Sequence, residues 1–161
     1  MGIVLALTLM TPAAILKIRY KSGDETEFRL ESDRLFYVFG RAAECHFKFK
    51  STKVSQIHFT ILARPTKHTI VDGFPGKRKG DEILGRKAST NSFLLNGVVM
   101  TTEEAKRINP AAQGRANLVH GDKLLLPDGT EIEYVLVRPT HLPRYDDTET
   151  GEPFTDVTPS G

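Results

Sequence analysis

Short apolar runs with period-two alternation, broken by turn residues, recur along most of the chain. Alternation of this kind places successive side chains on opposite faces of a strand. Residues 15–20, Ile-Leu-Lys-Ile-Arg-Tyr, read as a strand. Gly23 and Asp24 mark a turn, and residues 26–30 return with Phe28 and Leu30 on one side. Residues 34–39, 46–50, 58–63, 68–71 and 93–95 continue the pattern, the last ending in Asn96-Gly97, a tight-turn pair. Residues 124–126 and 131–137 flank Pro127-Asp128-Gly129, a hairpin signature. No helical periodicity is sustained. Residues 101–108 suit one or two helical turns, with Thr102 able to cap and Glu103 and Glu104 in the first turn. The expectation is an all-β fold, a two-sheet β-sandwich of about ten to eleven mostly antiparallel strands.

Two stretches break the pattern. Residues 73–88 are rich in Gly and carry Lys77, Arg78, Lys79, Arg86 and Lys87. They read as a long irregular loop, which in a compact domain marks function or disorder. Residues 145–161 are rich in Thr, Asp, Glu, Gly and Pro and read as disordered. The expected organisation is an apolar N-terminal segment, disordered or an edge strand, over 1–13. A sandwich follows over 14–140, then an acidic, Thr-rich tail over 141–161.

Length and charge sharpen this. The chain's 161 residues suit one domain with a core that needs no metal or disulfide. The formal net charge is only +2, but five acids and no Lys or Arg fall after position 144. The body over 1–144 therefore carries 22 basic and 15 acidic side chains, net +7. Cys45 is the lone cysteine, so an intrachain disulfide is excluded, which suits the cytoplasm. The apolar opening residues precede any Lys or Arg and are too few to span a bilayer, so neither a signal peptide nor a membrane partner is expected.

Catalytic chemistry is not indicated, and no enzyme activity is expected. His46, His58, His68, His120 and His141 lack metal-ligand spacing, and no second cysteine completes a zinc site. Ser55 and His58 lie three apart without a nucleophile-elbow sequence around the serine. No glycine-rich loop leads into a helix, so neither a nucleotide nor another cofactor is expected.

What remains is an ordered set of short motifs. Gly40-Arg41 ends one strand, and Ser55-Gln56-Ile57-His58 precedes another. Ser89-Thr90-Asn91-Ser92 leads into a strand that ends in Asn96-Gly97, and Gly121-Asp122 precedes residues 124–126. In this order, between strands, from about Ile15 to Arg138, the chain resembles the forkhead-associated (FHA) domain family. The resemblance implies an eleven-stranded sandwich of the FHA/SMAD-like kind whose loops bind phosphothreonine peptides. It implies that Arg41 and Ser55 bind the phosphate and that Gln56 sits beside it. Thr90 and Asn91 would flank the pocket, with Asn91 holding the peptide backbone. Gly40, His58, Asn96 and Gly97 would be structural support.

Elementary chemistry agrees with those roles. A phosphothreonine carries about −1.5 to −2 charges and three acceptor oxygens. Arginine offers a planar fork that stays charged, serine a rotating hydroxyl, and asparagine both a donor and an acceptor. The sequence departs from the family in three places. Ser92 stands where the family usually has glycine, Gln56 where it often has arginine, and residues 73–88 are longer than usual.

The expected function is therefore phosphothreonine-dependent adaptor binding of a partner protein, in signal transduction. A phosphorylation-independent interaction domain is the alternative, and a nucleic-acid binder using the basic 77–87 loop a weaker one, since that loop has no interleaved aromatics. Thr148 and Thr150, set among Asp146, Asp147, Glu149 and Glu152, are candidate phosphoacceptors. Once modified, they would offer the pocket an intramolecular ligand.

Overall fold

The computed structural model describes residues 11–31 and 34–137. The candidate phosphoacceptors Thr148 and Thr150, the acidic tail and residues 1–10 lie outside the described residues. Two sheets pack face to face. The first runs through β1 (Ala14–Arg19), β2 (Glu25–Leu30), β9 (Leu94–Leu95), β10 (Val98–Val99), β12 (Lys123–Leu125) and β13 (Glu131–Leu136), in the order β10-β9-β12-β13-β1-β2. The second runs through β3 (Phe36–Gly40), β4 (Phe47–Lys48), β5 (Phe59–Arg64), β6 (Lys67–Asp72) and β11 (Arg115–Leu118), in the order β11-β6-β5-β3-β4. All pairings are antiparallel except β3 with β4. The expected all-β sandwich is what forms.

The alternation explains the packing. In β1, Ala14, Leu16 and Ile18 are buried, and in β13 so are Ile132 and Tyr134. From the facing sheet come Tyr37, Phe39, Phe59, Ile61 and Ile70. Phe39 stacks on Phe59 at 4.5 Å, and Phe28 meets Tyr37, Phe39 and Phe47 edge-on. Each fully buried side chain of this size contributes about 1.5–3 kcal/mol relative to leaving it in water. One polar bridge crosses the core: His68 Nδ1 of β6 lies 2.6 Å from the Tyr134 hydroxyl of β13. Burial holds His68 down to about 4 and pushes Tyr134 up to about 12, so both are neutral at pH 7.

The outward face of the first sheet carries an ordered charge pattern. Register places Glu27 beside Lys17, Lys17 beside Glu133, and Glu133 beside Lys123. The next row runs Glu25, Arg19, Glu131. Every lateral neighbour in these rows is opposite in sign, which favours this register over a slip. Arg19 and Glu131 close to 2.6 Å, but both are more than half exposed, so the pair adds little stability.

Four strands differ from the sequence-based expectation. Residues 73–88 are not an irregular loop: they contain the hairpin β7 (Lys77–Lys79) and β8 (Glu82–Leu84), extended by the Phe74–Lys87 bridge. β10 and β11 are also additional to the strands read from the pattern. Helix α1 (Glu103–Ile108) does form, and the Thr102 hydroxyl caps it by accepting from the Ala105 N–H at 3.0 Å.

Candidate functional site

Register gathers the motifs at one end of the sandwich. Phe39 near the end of β3 pairs with Phe59 at the start of β5, and Phe59 pairs with Asp72 at the end of β6. Residues 40–46, 49–58 and 73–93 therefore emerge beside one another.

Gly40 sets the first contact. A Cβ there would lie 2.3 Å from the Gln56 carbonyl oxygen and 2.9 Å from the Ile57 Cα. Only glycine lets the two backbones approach so closely. The approach permits two backbone bonds, Arg41 N–H to Ser55 C=O and Ala42 N–H to Gln56 C=O, both 3.0 Å. The Cys45 thiol donates to the same Gln56 carbonyl at 3.2 Å. Arg41 is half-buried, and its Nε donates to the Val54 carbonyl at 2.6 Å. That bond fixes the guanidinium plane and commits one of its five N–H donors.

His58 ties two loops together. It is fully buried. Its Nδ1 accepts the Ser55 N–H at 2.9 Å, which makes Nε2 the protonated nitrogen, and Nε2 lies 2.7 Å from the Ser92 carbonyl that it serves. Burial lowers its pKa, against the Ser92 bond that raises it, and the neutral ring is the form both contacts require. Ser55, positioned this way, accepts the Thr90 N–H on its Oγ at 2.8 Å. Asn91 is exposed and donates from Nδ2 to the Lys53 carbonyl at 3.0 Å. Thus Arg41, Ser55, Thr90 and Asn91, separated by up to 50 positions in sequence, occupy one hydrogen-bonded surface. Gln56 joins it through its carbonyl, with its side chain exposed.

Ser92 sits at φ +54°, in the left-handed region that favours glycine. A non-glycine residue there costs about 1–2 kcal/mol. The hydroxyl offsets part of this by accepting the buried Thr101 N–H at 3.1 Å.

Asn96 and Gly97 form a separate support. Both have positive φ, +51° and +84°, as the tight β9–β10 turn requires. Asn96 donates to Asp122 at 2.9 Å and accepts the Lys123 N–H at 2.9 Å, so this turn is locked to the Gly121-Asp122 motif rather than to Arg41.

Three contributors are absent from the motif pattern. Lys106 of α1 donates its ammonium to the Ser89 and Thr90 carbonyls at 3.2 and 3.3 Å. Buried Asp72 accepts the Ser89 hydroxyl at 2.6 Å. Gln113 donates to the carbonyls of Asp72, Phe74 and Lys87. Their partners are mostly backbone atoms, which leave no trace in side-chain spacing. A hollow of about 340 Å³ beside this loop is lined by Asn91, Phe93, Val99, Leu125 and Pro127 among others. Among the described residues no group of three or more His, Cys, Asp or Glu could hold a metal, and no helix is long and apolar enough to cross a membrane.

The sequence matches the family model of the FHA domain over residues 37–127. The chain belongs to the FHA domain family, a family of phosphopeptide-binding modules. Its fold is similar to the Slr1951 protein from Synechocystis sp., with 21% identity, TM-score 0.56, and 80% of this chain and 99% of that chain covered. It is similar to the FHA domain of an Arabidopsis thaliana hypothetical protein, with 21% identity, TM-score 0.52, and coverage of 83% and 92%. It is also similar to Mycobacterium tuberculosis EmbR, solved in complex with a low affinity phosphopeptide, with 18% identity and TM-score 0.51, covering 88% of this chain and 30% of EmbR. No curated protein matches the chain.

Proposed function

We propose that this chain binds a phosphothreonine-containing segment of a partner protein and acts as an adaptor without catalysis. The convergence of Arg41 and Ser55 on one loop surface, held by His58, carries the reading. Arg41 spends its Nε on Val54 and retains four N–H donors for phosphate oxygens. The Ser55 hydroxyl accepts from Thr90 and has its own proton to give a phosphate oxygen. Asn91 commits one amide hydrogen to Lys53, and its remaining donor and acceptor suit an extended peptide backbone. The exposed Gln56 amide lies next to Ser55 as a further phosphate-side contact. EmbR, a fold relative, supports the ligand class, since it was solved with a phosphopeptide. Phosphothreonine rather than phosphoserine recognition would add a methyl contact worth about 1–3 kcal/mol.

The test is a titration of phosphothreonine peptides and their unphosphorylated counterparts against wild type and Arg41→Ala. The expected result is phosphate-dependent binding that Arg41→Ala abolishes. Equal binding of both peptide forms by the wild type overturns the proposal and favours a phosphorylation-independent interaction domain.

A further inference from the structure

The β7–β8 hairpin is the part of this end of the molecule that the phosphate grip leaves unused. It presents Lys77, Arg78 and Lys79 on β7, with Arg86 and Lys87 just beyond β8, all five exposed. Only Asp81 and Glu82 oppose them within the hairpin, and among the described residues none of the five cations is in an ion pair. Exposed cations without partners in a local excess attract acids and repel other cations.

The hairpin is anchored to the site. Its two legs meet where a Cβ on Gly73 would lie 1.9 Å from the Lys87 carbonyl oxygen, so the root is as tight as backbone permits. Phe74 and Lys87 exchange backbone bonds of 2.8 and 3.0 Å. Gln113 fastens both legs from the side, through the Phe74 and Lys87 carbonyls. The second leg continues without interruption into Ser89, Thr90 and Asn91. Asp72 and Lys106 hold that segment against β6 and α1. A cationic arm is thus built into the same hydrogen-bonded knot that positions Thr90 on Ser55.

We propose that this hairpin is a second contact for the phosphoprotein, recognising an acidic stretch of the partner that flanks the phosphothreonine. This rests on the phosphothreonine reading above. An acidic polypeptide is favoured over a nucleic acid because β7, β8 and the turn between them carry no aromatic side chain on which a base could stack, and Phe74 at the root is half-buried. Continuity with the peptide-holding loop favours a segment of the same ligand, which the phosphate grip brings to the hairpin at high local concentration.

The experiment uses the full chain and a variant combining Lys77→Gln, Arg78→Gln and Lys79→Gln. Each is titrated at 0.05 M and 0.5 M NaCl with phosphothreonine peptides of one core sequence. One peptide carries four acids before the core, one carries four after it, and one has neutral flanks. An unphosphorylated acidic peptide and a single-stranded RNA complete the set. The wild type is expected to bind one acidic-flank peptide about fivefold to tenfold more tightly than the neutral one at low salt. That advantage is expected to vanish in the variant and at high salt, while the neutral-flank affinity stays the same in both proteins. An advantage of equal size in wild type and variant overturns the hairpin assignment and leaves the phosphate reading intact. So does a variant that loses RNA binding without change in the flank preference. A wild type that binds no phosphopeptide overturns both.

Discussion

Replacing His58 by alanine removes the buried side chain that bonds Ser55 in one loop of the site and Ser92 in the other. Two polar groups lose their partners. The Ser92 carbonyl is buried, and stranding it costs about 2 kcal/mol. The Ser55 N–H is only partly buried, so water softens its loss to about 1 kcal/mol. The ring is fully buried against Phe93, at 6.0 Å between centroids, and its removal leaves a cavity costing about 1 kcal/mol more. The sum is about 4 kcal/mol, a large fraction of the 5–15 kcal/mol of a typical domain. For a chain of this size that corresponds to a fall in Tm of about 8–16 °C. Urea denaturation with matched m-values, alongside a thermal melt, measures it. The protein that remains folded is expected to bind phosphopeptide at least tenfold more weakly, since the exposed Ser55–Thr90 and Asn91–Lys53 bonds then hold the two loops without the buried brace behind them. A loss below about 1 kcal/mol with unchanged affinity would refute the view that His58 braces the site.

Further outcomes follow from the same contacts. Gly40→Ala forces the Gln56 and Ile57 backbone away, and is expected to cost about 3 kcal/mol or more in denaturant and to weaken phosphopeptide binding. Gly23→Ala, with open space around it but φ +98°, is expected to cost only about 1 kcal/mol. Lys106→Met is expected to lower phosphopeptide affinity about tenfold while changing stability by about 1 kcal/mol, because it frees the Ser89 and Thr90 carbonyls at the site's rim. Acid titration reads His68. Its folded value of about 4 lies below its ordinary 6.5, so the unfolded chain takes up the proton first. Stability is therefore full above pH 6.5 and falls by up to about 3 kcal/mol by pH 4. Combining His68→Leu with Tyr134→Phe is expected to flatten that slope, as followed by urea midpoints across pH.

Strands with one wet and one dry face were legible from the sequence. β1 and β13 alternate cleanly because their outward rows must carry charge while Leu16, Ile18, Ile132 and Tyr134 fill the core. The capped start of α1 was legible too, since Thr102 and the acids after it act locally. The β7–β8 hairpin was not. Both its strands are exposed throughout, so no burial pattern marks them, and backbone pairing with the clamp from Gln113 supplies what alternation lacks. Within the site, motif order pointed to Arg41, Ser55 and Asn91 through the family resemblance. Gln113 and Lys106 act on carbonyls distant in sequence, a relation that only the folded chain reveals. The Ser92 substitution reads differently in three dimensions. The position does need positive φ, and the serine hydroxyl takes up a buried N–H that glycine would leave unpaired.

In the function proposed above, Arg41, Ser55, Thr90 and Asn91 form the surface that reads a phosphothreonine. The most direct test is an amide and side-chain NMR titration of the full chain with a short phosphothreonine peptide and with its unphosphorylated twin. Saturable shifts are expected at those four residues and at the Arg41 guanidinium with the phosphopeptide only, all lost in Arg41→Ala. Shifts that centre elsewhere, or that the unphosphorylated peptide produces equally, would contradict that function.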